Sequence, residues 1–489
     1  MSNKTNRREF VKSTAALGMG AWVAGGVALK PSISALEEIR FGCIGVGGKG
    51  ASDSTDAGKH GRVVAMCDID EEILGKKKEE FADAKTYFDF RKMLEEMGDK
   101  IDAVTVSTPD HTHAVAALMA MRMGKHCYCQ KPLTHSIEES RLMGQVAKAN
   151  NVITQMGNQG TALSNLRESA ALIRKGIVGD VKEVHVWTNR PVWPQSFGLQ
   201  VKEGPEPGKE SEWEARRSNV HWKEWIGPAM NRPYSPEIHP FKWRGFWAFG
   251  TGALGDMACH TLNMSYMALD LKFPTSVEAV CDKHDKNCYP SKSKITFEFP
   301  ELNGRPALKM FWYDGGENPG NDLMSDLPKQ PNKKNPKRAR HYRSAALVVG
   351  EKGKFYSPGD YGEVSGTTGM IVDGEFTRQR TITRPSKDGQ SSPFSEFKDI
   401  EFVKSPGHFT EFANAIKGEG KTVSEFVEYA GPLSETILLG NLAVWSGEKV
   451  NWDAKNMVAA DADGSTQKMV RHEYYNGYSI HDNAPVPVS

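Results

Sequence analysis

Between residues 38 and 157 the chain alternates short apolar runs with longer amphipathic stretches, the pattern of strand–helix–strand units. Glu38–Gly45, Arg62–Asp68, Ala103–Ser107, His126–Cys129 and Val152–Met156 read as strands, with Glu71–Ala82 and His113–Gly124 as helices among them. Strands spaced by helices imply a doubly wound parallel sheet with right-handed crossovers. After Gly157 the period changes. Leu163–Lys175 is helical, whereas Val181–Arg190 alternates, with Val184, Val186 and Thr188 on one face. Strand-like runs recur at Lys294–Glu298 and Ala307–Trp312, and helical ones at Phe409–Ile416 and Val427–Trp445. The expected fold class is α/β: the parallel domain over 38–157, then an α+β domain with a large, mainly antiparallel sheet over 158–450. A C-terminal tail, 451–489, should pack back on the domains. Residues 317–343, rich in Pro, Lys and Asn without a period, read as a surface-loop insertion.

Ahead of the first strand, Asn6-Arg7-Arg8-Glu9-Phe10-Val11-Lys12 precedes a Gly/Ala-rich apolar stretch, Thr14–Leu29, and a small-residue cleavage site near Ala35. That is the pattern of a twin-arginine signal peptide over 1–35, so export to the periplasm in a folded state is expected. The apolar stretch is too short and glycine-rich to span a membrane, so no stable span should remain after processing. The whole chain carries a net charge of +1. Without residues 1–35 it would hold 57 basic against 60 acidic residues, which argues against a nucleic-acid partner. Of the 7 cysteines, Cys43, Cys67, Cys127 and Cys129 fall on strands and read as small buried residues. Cys281 and Cys288 are the pair left open for a disulfide. No zinc spacing is present.

The strongest chemical signal is Gly45-Val46-Gly47-Gly48-Lys49-Gly50, directly after the first strand. It fits G-x-G-x-x-G: Gly45 for the tight turn, Gly47 for backbone approach to a pyrophosphate, Gly50 for close helix–strand packing. Gly48 belongs to the same loop. Asp68, 18 residues past Gly50, ends the next strand where a carboxylate can accept the adenosine ribose hydroxyls. Ile69 and Asp70 follow it, with no Arg, so NAD is favoured over NADP. A Rossmann dinucleotide-binding domain is expected.

Ser107-Thr108-Pro109-Asp110, Cys129-Gln130-Lys131-Pro132, Trp243-Arg244 ahead of a glycine-rich segment, and Asp256-Met257-Ala258-Cys259-His260 follow in order. With the glycine loop, these motifs resemble those of the glucose–fructose oxidoreductase/inositol dehydrogenase (Gfo/Idh/MocA) family across most of the chain after residue 35. The resemblance implies that Lys131, Asp256 and His260 form the catalytic group, with Thr108, Pro109, Gln130, Lys131, Trp243 and Arg244 near the cofactor. It also implies a homo-oligomer assembled through the outer face of the large sheet. The sequence departs from the family at Gln130, where Glu is usual, removing one carboxylate beside Lys131.

The residues support this chemistry independently. Asp256 and His260, four apart, share a helical face. Oxidising an alcohol needs a base for the hydroxyl proton, which an imidazole oriented by a carboxylate supplies near neutral pH. Lys131 can polarise the forming carbonyl or relay the proton. Asp256 as a helix cap and His260 as a core histidine are the plainer readings. Asp110 is a helix-start residue that also lies where open α/β sheets bind ligands; His113 could line the nicotinamide side. Asn158, past the fifth strand, is a contact candidate. Arg190 could bind hydroxyls, and Trp193, in a Pro-flanked loop, could stack on a sugar ring. No metal is expected.

The expected activity is that of a periplasmic, NAD-dependent oxidoreductase of a sugar or glycoside ring hydroxyl, with C3 as the candidate position and a tightly held cofactor. An NAD-dependent glycosidase, working by transient C3 oxidation with elimination and hydration, is the alternative. A non-catalytic sugar-binding protein on the same scaffold is the third reading.

Overall fold

A computed structural model describes residues 38–331, 335, 338–379, 392–460 and 463–481. The signal-peptide expectation therefore lies outside the described residues. The first sheet is built from β1 (Ile39–Ile44), β2 (Gly61–Cys67), β3 (Lys85–Tyr87), β4 (Ala103–Val106), β5 (His126–Cys129) and β6 (Thr154–Met156). It has the order β3-β2-β1-β4-β5-β6, with every pair parallel. Its crossovers include α1 (Lys49–His60), α2 (Glu71–Glu80), α3 (Phe90–Met97), α4 (Asp110–Arg122) and α5 (Ile137–Ala149). Each start is locally encoded: Asp70 and Asp89 cap α2 and α3, and Ser136 with Glu139 forms a capping box on α5. Strand β3 has no sequence counterpart above, because its three residues are not buried and carry no apolar signal.

Register decides where the chemistry sits. Ile44 pairs with Cys67 and with Val106, and Val106 pairs with Cys129. The carboxyl ends of β1, β2, β4 and β5 thus fall level, and the turns starting at Gly45, Asp68, Ser107 and Gln130 emerge along one edge. That edge is where open α/β sheets bind ligands.

The second sheet has ten strands: β7 (Val181–Trp187), β8 (Ser276–Cys281), β9 (Ser293–Phe299), β10 (Leu308–Tyr313), β11 (Ala345–Gly350), β12 (Gly353–Pro358), β13 (Gly369–Val372), β14 (Glu375–Arg378), β15 (Val450–Asp453) and β16 (Val458–Ala460). All of its pairs are antiparallel except β10 with β7. Helices α6 (Ser164–Arg174), α9 (Gly252–Thr261), α10 (Asn263–Leu269) and α12 (Gly431–Ser446) cover the inner face, while α7 (Glu210–Ser218), α8 (Trp222–Ile226) and α11 (His408–Ile416) lie elsewhere. Core side chains such as Leu254, Phe297, Trp312 and Ile437 fill the layer between helices and sheet. On the opposite face, Met324 and Leu327 of the 317–343 segment join a cluster with Trp187, Leu347 and Tyr356, so part of that insertion is packed.

The tail returns across the molecule. Strands β15 and β16 extend the sheet edge, α13 (Gly464–Val470) follows, and Tyr478 lies over Arg91 at 4.5 Å. Among the described residues no helix is long and apolar enough to cross a membrane.

Candidate active site

A cleft of about 440 Å³ runs along the carboxyl edge of the parallel sheet. Gly45, Gly47, Gly48, Asp68, Thr108, Pro109, Asp110, Gln130, Lys131, Trp243, Arg244 and Asp256 all border it. The glycine loop is sterically constrained. Gly45 has φ +76°, and a Cβ there would lie 2.6 Å from the Ser107 carbonyl oxygen. A Cβ on Gly50 would stand 2.1 Å from the Gly45 oxygen, so α1 can approach β1 only over a glycine. Asp68 takes the Val46 and Gly47 N–H groups on Oδ2 at 2.8 and 3.2 Å, and the Asp70 N–H on Oδ1. Burial raises its carboxyl despite these donors. A carboxylate has about four acceptor positions, so Asp68 can fix the loop and still meet a ribose hydroxyl.

Ala51 N–H turns back to the Gly48 carbonyl at 3.3 Å, while the N–H groups of Lys49 and Gly50 precede any helix carbonyl; Gly48 and Lys49 border the cleft there. That supply of donors at a helix N-terminus suits a pyrophosphate. The residues present therefore fit a dinucleotide, held by the glycine loop, Asp68 and the Thr108–Pro109 turn.

Residues 216–221 buttress the wall near Asp68 from behind. Val220 bridges to Asp70, Glu71 N–H donates to the Asn219 carbonyl at 3.0 Å, and His221 N–H to that of Ile69 at 2.8 Å. The Arg216 guanidinium donates to buried Asp70 at 2.5 Å, and the His221 ring stacks on Phe88 at 3.7 Å. Of these, Ile69 and Phe88 border the cleft, as do Trp225, His239, Phe241 and Tyr478. Arg216, His221 and Tyr478 carry no motif; only the three-dimensional fold brings them here.

At the other end, Lys131 Nζ donates to Asp256 Oδ1 at 2.8 Å and to the Asp256 carbonyl at 2.7 Å. Arg244 Nε is 3.5 Å from the same Oδ1, its guanidinium resting on the rings of Trp243 and Phe241 at 4.3 and 4.7 Å. Burial alone would raise the Asp256 carboxyl, but Lys131 and Arg244 outweigh it and hold it below the usual range. Asp256 makes no hydrogen bond to His260 among the described residues, so it does not orient the imidazole as the i, i+4 spacing suggests. The two cations have claimed it.

His260 is 2% exposed. Burial, then Lys131, push its imidazolium well below the ordinary histidine range, so it is neutral at physiological pH. Its Nδ1 is sealed without a partner, and the residue does not itself border the cleft but lies one helical turn past Asp256, which does. The Tyr361 ring stands edge-on to it at 4.5 Å. Tyr361 follows β12 by three residues and carries no sequence signal for this role. Arg190 reaches the same loop through Asp360 at 3.1 Å.

Asp110 is a second buried acid in the cleft. Burial pushes its carboxyl up to about 7, and the Thr251 hydroxyl donates to it at 2.7 Å.

Three expectations are corrected. His113 does not border the cleft; its ring nitrogens lie 2.8 Å from the Thr108 and Pro132 carbonyls, where it braces two loops that do. Trp193 is 5% exposed, donates to Gln195 at 2.8 Å and packs edge-on to Phe241, so it offers no free face for a sugar. Asn158 does not border the cleft either; its Oδ1 accepts from Ser424 at 2.6 Å, deep in the interior.

Residues 39–158 match the family model described as an oxidoreductase family with an NAD-binding Rossmann fold, and residues 201–304 match that family's C-terminal alpha/beta domain. Over these two segments the chain is similar to the Gfo/Idh/MocA oxidoreductase family. Curated relatives include a levoglucosan dehydrogenase of Pseudarthrobacter phenanthrenivorans, 22% identical over 41% of this chain and 40% of its own. A glycosyl hydrolase family 109 protein of Solibacter usitatus is 30% identical over 28% of this chain and 35% of its own. The matches span between 27% and 65% of the curated relatives' lengths. Among solved structures, the WlbA dehydrogenase of Bordetella pertussis, in complex with NADH and UDP-GlcNAcA, superposes with a TM-score of 0.54 at 16% identity. That match covers 85% of this chain and 99% of the other, and establishes the shared fold.

Proposed function

We propose that this chain is a periplasmic, NAD-dependent oxidoreductase of a sugar or glycoside ring hydroxyl, with C3 the position favoured, and that it keeps its cofactor bound between turnovers. The observation that carries the reading is the Lys131–Asp256 pair at one end of a dinucleotide cleft, with the buried, neutral His260 one helical turn past Asp256. Bound NAD supplies the acceptor for the hydride leaving the carbinol carbon. Lys131 presents N–H to the substrate oxygen and stabilises the charge that builds there as its proton departs. His260 takes that proton at Nε2, and Asp256 keeps the lysine in place. The aromatic wall of Phe88, Trp225, Phe241 and Tyr478, buttressed by the Asp70–Arg216 pair, supports a retained cofactor, which suits a compartment that free NAD does not readily enter. Carbohydrate is favoured because the levoglucosan dehydrogenase and the family 109 protein bear names from sugar chemistry. Export rests on Arg7-Arg8, and assembly as a homo-oligomer on family likeness.

The purified full chain should carry nicotinamide and show sugar-dependent reduction of it; protein that neither contains nor binds NAD overturns the reading. The glycosidase alternative is favoured by the likeness to the family 109 protein. Release of an aglycone without net NADH would select it over the dehydrogenase.

A further inference from the structure

Asp53 lies on α1, one turn past Gly50, and is 1% exposed. Its Oδ2 accepts from Ser107 Oγ at 2.8 Å and from Gln130 Nε2 at 2.9 Å, while Oδ1 pairs with the Lys49 ammonium. Ser107 follows β4, Gln130 follows β5 and Lys49 opens α1; all three border the dinucleotide cleft. One carboxylate therefore joins three separate strand-to-helix turns on which the cofactor would rest. The Gln130 amide packs on Gly157, where a Cβ would sit 2.3 Å from Nε2, so its approach to Asp53 needs a glycine there.

An amide at 130 is what this geometry requires. Two carboxylates at hydrogen-bond distance cannot both stay ionised in a sealed site. The surrounding titratable groups offer no further compensation. Burial pushes the Cys43 thiol up to about 12 and keeps Cys129 and Tyr128 in their neutral forms. Lys77, behind α1, is committed to Glu80, Thr55 and the Ala51 carbonyl, and Asp56 faces Lys59.

We infer that Asp53 is a positioning residue for the cofactor. Through Gln130 and Ser107 its carboxylate sets the Lys131 turn and the β4 turn against the glycine loop. The inference rests on the NAD-binding reading.

The test compares the full wild-type chain with Gln130→Glu, Asp53→Asn and the double variant, titrating each with NAD by tryptophan fluorescence between about pH 5 and pH 8. Wild type that fails to bind NAD would overturn the functional reading itself, a result distinct from those that follow. Gln130→Glu should weaken binding at least about tenfold at the alkaline end, and the loss should shrink toward the acid end as the paired carboxyls take up a proton. The double variant should return to within about threefold of wild type at every pH, since amide and carboxylate have exchanged places. Asp53→Asn alone should fall between the two, because its amide can still meet Gln130 but no carboxylate remains at the junction of the three turns. The inference is overturned if Gln130→Glu binds like wild type throughout, if its defect does not change with pH, or if the double variant fails to recover. Should Gln130→Glu not fold, the double variant decides alone: near-wild-type binding sustains the inference and its loss refutes it.

Discussion

Lys131 holds Asp256 twice over, donating to its carboxylate at 2.8 Å and to its backbone carbonyl at 2.7 Å. A lysine from the edge of the parallel sheet thereby fixes α9, a helix that otherwise packs chiefly against α12 of the second domain. Lys131→Met keeps much of the side-chain volume and removes every donor. Turnover should fall by about 100-fold or more, the scale on which positioned proton-handling groups act. NAD affinity should change far less. Steady-state kinetics beside an NAD titration check this; an equal loss in both would mean the lysine serves structure alone.

Asp110 makes stability depend on pH. A carboxyl raised from 3.8 to about 7 binds its proton more firmly in the folded chain, so stability falls as pH rises across that interval. Asp110→Asn removes the penalty while keeping an acceptor for Thr251. The variant should exceed wild type at about pH 8 by roughly 1–4 kcal/mol, and the difference should close near pH 4. Denaturant melts at the two pH values measure it, and a gap that does not depend on pH would contradict it.

Arg216→Ala leaves Asp70, only 1% exposed, without its cation. Truncating one partner of such a pair is destabilising, here by about 1–3 kcal/mol given the half-open guanidinium. The loss should be local, loosening the 216–221 buttress that packs on Ile69 and Phe88 of the cleft wall. Nicotinamide retained through gel filtration should drop while the main thermal transition moves by only a few degrees.

Trp193→Leu separates core from sugar platform. With the indole buried and its N–H held by Gln195, the variant should lose about 2–4 kcal/mol of stability. KM for any accepted sugar should stay within about twofold, a change worth less than 0.5 kcal/mol. A large rise in KM on an otherwise stable protein would restore the stacking role.

What could be read in the sequence was whatever chemistry is encoded by near neighbours. The glycine loop, Asp68 at the end of its strand, and the spacing of Asp256 and His260 are local patterns, and the strand register carries them to one edge. Contacts between segments far apart were invisible. Asp53 is an ordinary helix-face acid until Ser107 and Gln130 fold against it. Tyr361 meets His260 only when β12 takes its place in the second sheet. Trp193 and His113 misled for a related reason: a Pro-flanked loop need not be exposed, and a helix-start histidine can be consumed by carbonyls from neighbouring loops. Asp256 was expected to serve His260, yet two cations from elsewhere in the fold compete for it.

The position of Tyr478 sets a timetable. It helps wall the dinucleotide cleft that begins at Gly45, more than four hundred residues earlier in synthesis. The ribosome therefore releases one side of the cofactor's enclosure long after the loop that cradles its phosphates. A growing chain can present its glycine loop early, but it cannot complete the wall around a dinucleotide until Tyr478 has emerged. Loading can begin on the first domain, yet closure belongs to the chain that already carries the second.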